Sequence, residues 1–187
     1  AWRENGRVRW EKNLGPGKLS VLLPKLEGEL VIHFRWASVG GVDERLCHPF
    51  PVTPRAQVSL SGSADAVLFQ NGTWGEHEDA LIRLGAKTGQ SLPTRPMSDT
   101  RAAALLVNAT QPDVLNRLPG KWVWMGAAET KRYGEWQSWG GMRVSNTDFL
   151  PRIRRKPVEP LSRSNHTQIA DTRPRHQAAL FSMPDEA

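Results

Sequence analysis

From Glu29 to Val39 the chain alternates side chains of opposite character. Leu30, Ile32, Phe34 and Trp36 fall on one face of an extended segment, His33 and Arg35 on the other. Period two, rich in aromatic and β-branched groups, cannot make one apolar stripe on a helix and predicts a half-buried β-strand. The same alternation recurs through the first half. Arg7-Val8-Arg9-Trp10 alternates charge with apolar groups, and Lys18 to Leu23 sets Leu19, Val21 and Leu23 on one face before Pro24 stops or edges the strand. Gln57 to Leu60 and Ala66 to Phe69 read as two short strands separated by Ser61-Gly62-Ser63, with Asn71-Gly72 as a turn.

One short helix is expected from Trp74 to Leu84. Thr73 and Glu76 have the spacing of a capping box, Glu76, Glu78 and Asp79 suit the helix dipole, Ala80, Leu81 and Leu84 form the inward stripe, and Gly85 supplies the stop. Three more strands are expected at Ala102 to Val107, Lys121 to Met125 and Trp136 to Val144; the first fits a helix equally well, because Ala and Leu favour one. In the second, Trp122 and Trp124 share a face while Val123 and Met125 take the other, a pattern of burial on both sides. Gly140-Gly141 marks a bulge or an end in the third. From Pro151 the apolar periodicity fades and a basic cluster appears, Arg152, Arg154, Arg155 and Lys156. The expected organisation is a mainly β domain over 1–150, a single β-sandwich with one short helix, followed by an extended, basic, Pro-containing C-terminal arm over 151–187.

Bulk properties narrow the function. A chain of 187 residues suits one domain, and 39% hydrophobic residues with 14 Pro and 16 Gly suggest a modest core with much loop. No apolar run approaches the roughly 20 residues of a membrane helix, and the first residues hold no apolar h-region of a signal peptide. Cys47 is the single cysteine, so an internal disulfide is excluded and a reducing setting is expected. The sequons at Asn71, Asn108 and Asn165 are then read as chance occurrences. A net charge of +6 favours acidic partners, nucleic acid first.

No reactive constellation stands out. The five histidines show no metal-binding spacing. Glu76-His77-Glu78-Asp79 cannot converge from a helix, whose successive side chains diverge by about 100 degrees. Cys47 and His48 are adjacent, which rarely lets a nucleophile face its base. Phosphate loops and a nucleophile elbow are absent. The expectation is no catalytic, cofactor or metal site, and hence no enzyme. Trp36, Trp122 and Trp124 are expected in the core, whereas Trp2, Trp136 and Trp139 are undecided and any of them could offer a stacking platform. The 152–156 cluster could meet phosphate, pair with a neighbouring subunit, or stay solvated.

Short strands, proline-rich crossovers and a terminal arm suggest a β-sandwich, of which the jelly roll is one version. The stretch Gly28 to Ser38, Gly-Glu-Leu-Val-Ile-His-Phe-Arg-Trp-Ala-Ser, followed by His48-Pro-Phe-Pro51, resembles coat proteins of picorna-like viruses, especially the small capsid subunits of plant secoviruses. That resemblance covers about a quarter of the chain. It implies a structural capsid protein in the virion and host cytoplasm, partnered by other coat subunits and by genomic RNA through phosphate contacts, with no membrane partner. Two alternatives come from the residues: a carbohydrate-binding sandwich using Trp2, Trp136 or Trp139, and an RNA-binding accessory protein using the basic cluster.

Overall fold

The computed structural model describes residues 1–35, 43–89, 91–93, 95–147 and 180–182. The fold is mainly β, built from antiparallel sheets with few helices. Its centre is a four-stranded sheet of β4 (Phe50–Pro51), β6 (Ala66–Asn71), β7 (Lys121–Gly126) and β8 (Thr130–Tyr133), in the order β4-β6-β7-β8. β7 is buried on both faces as its sequence requires: Val67, Phe69, Val123 and Met125 face one way, Leu68 and Trp122 the other.

Against the first face packs a sheet of β1 (Trp2–Glu4), β2 (Arg7–Glu11) and β5 (Ser61–Ala64), contributing Val8, Trp10 and Ala64. β1 and β2 join through Asn5 and Gly6, whose φ of 52° and 72° give the left-handed pair that a tight hairpin turn needs. Against the second face lie α2 (His77–Thr88) and α3 (Asp99–Ala109), which bury Leu84 and the run Ala102 to Leu105. The central sheet thus carries a sheet layer on one face and a helical layer on the other.

A third sheet, in the order β3-β11-β10-β9, combines β3 (Val31–His33), β9 (Gln137–Trp139), β10 (Met142–Val144) and β11 (Leu180–Ser182). Gly140 and Gly141, at φ 54° and 79°, form the turn between β9 and β10, so the expected third strand is two strands of a hairpin.

Several expectations change. The segment expected as a strand from Lys18 is the helix α1 (Pro16–Leu22), with Gly15 as N-cap and Pro16 at the first helical position. Leu19, Leu22, Leu23 and Leu26 carry the i, i+3, i+4, i+7 spacing of a helix face, while Val21, which period two would bury, is 60% exposed. Ala102 to Val107 lies within α3, started by the Ser98 hydroxyl accepting from the Arg101 N–H. α2 begins at His77 without the Thr73 cap and runs through Gly85 to Gly89, whose φ of 66° makes the left-handed cap. The chain therefore has three α-helices among the described residues, not one.

Ser61 to Ser63 is strand, not turn, and Gln57 to Leu60 precedes it without strand structure. The indole of Trp10 lies across its register partner Gly62, so small residues suit this edge strand. The expected strand from Glu29 is regular only over Val31–His33, with Leu30 bridging to Trp2, and its inner face is the reverse of the one expected: Val31 and Glu29 are buried and Phe34 is 53% exposed. Trp36 and the rest of that stretch lie outside the described residues. Most of the expected arm does too, but β11 falls inside that range and pairs within the chain.

Candidate functional site

A cavity of about 250 Å³ opens between α1 and the start of the central sheet. Leu19, Leu22, Leu23 and Leu26 form its roof. Lys12, His33, Cys47 and His48 are among the groups on the opposite wall. These four come from separate places: Lys12 follows β2, His33 ends β3, and Cys47 and His48 lead into β4.

Lys12 is 5% exposed. Its ammonium donates to the Arg45 carbonyl at 3.1 Å and sits 4.5 Å from the centre of the Phe50 ring. Burial pulls it down to about 8, against an opposing effect from the neighbouring Cys47. Burial pushes the Cys47 thiol up, which disfavours the thiolate that a nucleophile or metal ligand needs.

His48 anchors a buried polar chain. Its Nδ1 accepts the Gln70 backbone N–H at 3.4 Å, which places the ring proton on Nε2, 2.8 Å from Thr100 Oγ1. The Gln70 amide lies 2.7 Å from the same hydroxyl. With its nitrogen turned toward Thr100 it also reaches the two Asp99 oxygens at 3.3 and 3.2 Å, an orientation that satisfies both groups. Asp99 in turn accepts the backbone N–H groups of Trp74 at 2.9 Å and Thr100 at 2.8 Å. Both nitrogens of His48 are therefore occupied, and the ring has no lone pair to offer Cys47. The adjacent pair is not a nucleophile and base.

His33 differs. The residue is half-buried, both its ring nitrogens are buried without a hydrogen-bond partner, and the ring stacks on His48. Burial, aided by the Arg35 charge, pulls it down to about 3. His48 is lowered as well, by burial first and then by the surrounding His33, Lys12 and Arg35. The two imidazoles and the thiol on this wall are thus neutral, and the charged side chains lining the cavity are Lys12, Arg35 and Glu11.

Elsewhere charge is committed to holding elements together. Arg101, 5% exposed, donates to the carbonyls of Ala56, Pro96 and Arg55 at 2.8, 2.6 and 3.0 Å. Glu29 is clasped by Arg3 at 3.0 Å and Arg132 at 2.5 Å, with Thr130 donating to the same carboxylate.

Glu76, Glu78 and Asp79 are exposed while His77 is buried against the Trp74 carbonyl, 2.8 Å from its Nδ1, so these four side chains diverge. Among the described residues no group of His, Cys, Asp and Glu could hold a metal, and no helix is long and apolar enough to cross a membrane. Trp2 is buried, Trp136 donates to the Tyr133 carbonyl at 3.1 Å and packs on the Val8 cluster, and Trp139 packs on Val144. Trp136 and Trp139 remain partly exposed. Asn71 is buried and donates to Ser145 Oγ at 2.7 Å, which removes it as a glycan acceptor in the folded chain; Asn108 is exposed. Arg152, Arg154, Arg155, Lys156 and Asn165 lie outside the described residues.

No family model, curated protein or solved structure matches this chain. Sequence reasoning missed Lys12 and His33 as wall residues. The one signal available for His33 was its place two residues after Val31, which would have set both on the inner face had Leu30 and Ile32 been read as the outer one.

Proposed function

We propose that this protein is a structural subunit that works through the surfaces it presents to its neighbours, in the manner of a viral coat protein around an RNA genome. The observation that favours a non-catalytic role is the use of its buried polar groups. His48, Asp99, Arg101 and Glu29 all have their bonding capacity taken up by backbone or neighbouring side chains, so His48 does not serve Cys47 as a base. The positive net charge suits an RNA partner, and the cluster Arg152, Arg154, Arg155 and Lys156 is the segment proposed to meet its phosphates.

The finer reading of the fold, a jelly roll, draws on the face-to-face packing of β1-β2-β5 on β4-β6-β7-β8. The consecutive neighbours β6-β7-β8 and the layer of α2 and α3 are features that such a coat protein would carry in addition.

Size decides the proposal. Under assembly conditions with RNA the protein is expected in uniform particles by negative-stain imaging, eluting at the void volume of a sizing column with nuclease-protected RNA. A monomer that persists across salt, pH and added RNA refutes it.

A further inference from the structure

β11 occupies an unusual place. It is one of the two inner strands of its sheet, antiparallel to β3 through Leu180↔His33, Phe181↔Ile32 and Ser182↔Val31, and antiparallel to β10 through Phe181↔Val144 and Ser182↔Arg143. β3 and β10 are joined in the sheet order only by β11 between them. Taken away, it leaves a slot with a strand edge on each side, one belonging to β3 and one to the β9-β10 hairpin. In sequence, 35 residues (145–179) separate the end of β10 from the start of β11. Fully extended, a segment of that length spans roughly 120 Å, several times the roughly 15 Å radius of gyration of a domain near this size.

From this geometry we infer that the slot between β3 and β10 is an intermolecular docking site whose partner is the Leu180–Ser182 strand of a second copy of the chain. Strand addition to a sheet edge is driven by main-chain hydrogen bonds, which do not depend on how the incoming strand is connected. Own and exchanged strands therefore make identical contacts. The balance between them is set by the effective concentration of the tethered strand, which for a long connection is on the order of millimolar or lower and falls with its length. Copies packed side by side exceed that local concentration, so the strand passes to the neighbour and links the two molecules without any new interface. The inference does not require the coat-protein reading; it holds for any close association of copies.

Directly opposed residues on antiparallel strands lie within the span of a disulfide, which gives the test. In a Cys47→Ser background, full-length Ile32→Cys chains and differently tagged Phe181→Cys chains are unfolded, mixed, refolded together and oxidised. A chain carrying both substitutions is treated in parallel. The expected result is a disulfide-linked heterodimer of the two single-cysteine chains, at least about a hundredfold more abundant at millimolar than at micromolar protein, with the doubly substituted chain closing on itself when dilute. Intrachain closure of the double variant at every concentration, with no heterodimer in the mixture, overturns the inference. So does failure of the double variant to form any disulfide between positions 32 and 181, since β11 would then not occupy the slot.

Discussion

The ring of His33 lies face to face with the ring of His48, their centroids 4.0 Å apart and their planes inclined by 21°. The contact joins β3 to the segment entering β4 and requires both rings to be neutral. Burial lowers both, and the charges that act on them, Lys12 and Arg35, are positive and lower them further.

Stability should therefore fall in mild acid. In the unfolded chain each imidazole titrates near its ordinary value of about 6.5. Above that pH neither imidazole is protonated in either state and the histidines cost the fold nothing. Below it the unfolded chain binds protons that the fold excludes, and stability falls by about 1.4 kcal/mol per pH unit for each histidine. For His33 the loss continues toward its folded value of about 3. Urea unfolding between pH 7.5 and 5, above the range where carboxylates dominate, measures the slope. The buried amine of Ala1, lowered from 8.0 to about 5, titrates in the same window with the same sign, so His33→Phe removes one of three titrations and two unpartnered nitrogens; it should lower the slope by about a third and leave stability at pH 7.5 equal or higher. An unchanged slope in the variant contradicts the account.

Asp99 fixes the start of α3 to the loop that precedes α2 by accepting the N–H groups of Trp74 and Thr100. Asp99→Ala strands two buried donors and should cost about 2–3 kcal/mol. Asp99→Asn retains one acceptor oxygen and should lose about half as much. Chemical denaturation of the three proteins gives the comparison, and equal losses for Ala and Asn would mean that charge, not acceptance, is what matters there.

Gly62 has no side chain because Trp10 occupies its place: a methyl group there would lie 2.5 Å from the indole Cζ2. Gly62→Ala should destabilise by about 1–3 kcal/mol through overpacking. Trp10→Phe withdraws the outer ring, so the double variant should cost less than the sum of the singles by at least about 0.5 kcal/mol. Strict additivity in the double-mutant cycle would show that the indole is not the cause.

The fold was legible where side-chain pattern and final burial agree. In β2, alternation puts Val8 and Trp10 inside and Arg7 and Arg9 outside, and β7 is apolar on both faces because a layer covers each. It was misread where one short segment satisfies two periods. Leu19, Val21 and Leu23 alternate, but Leu19, Leu22, Leu23 and Leu26 also repeat every three to four residues, and the start set by Gly15 and Pro16 favours the helix. The candidate site was less legible still. Its polar wall assembles from residues far apart in the chain, and Cys47-His48 suggested a reactive pair whose imidazole is in fact occupied by Gln70 and Thr100.

What the sequence determined by itself is what neighbours along the chain can enforce: the break at Gly140-Gly141 and the strands β2, β6 and β7. The tertiary structure alone decided which face of β3 is inside. Glu29 can be buried only because Arg3 and Arg132, 26 and 103 residues away, arrive to neutralise it, and His33 turns inward because His48 offers a ring to stack on. Local geometry offers a strand two faces; the free energy of burial selects between them, and that term depends on surfaces the segment itself does not contain.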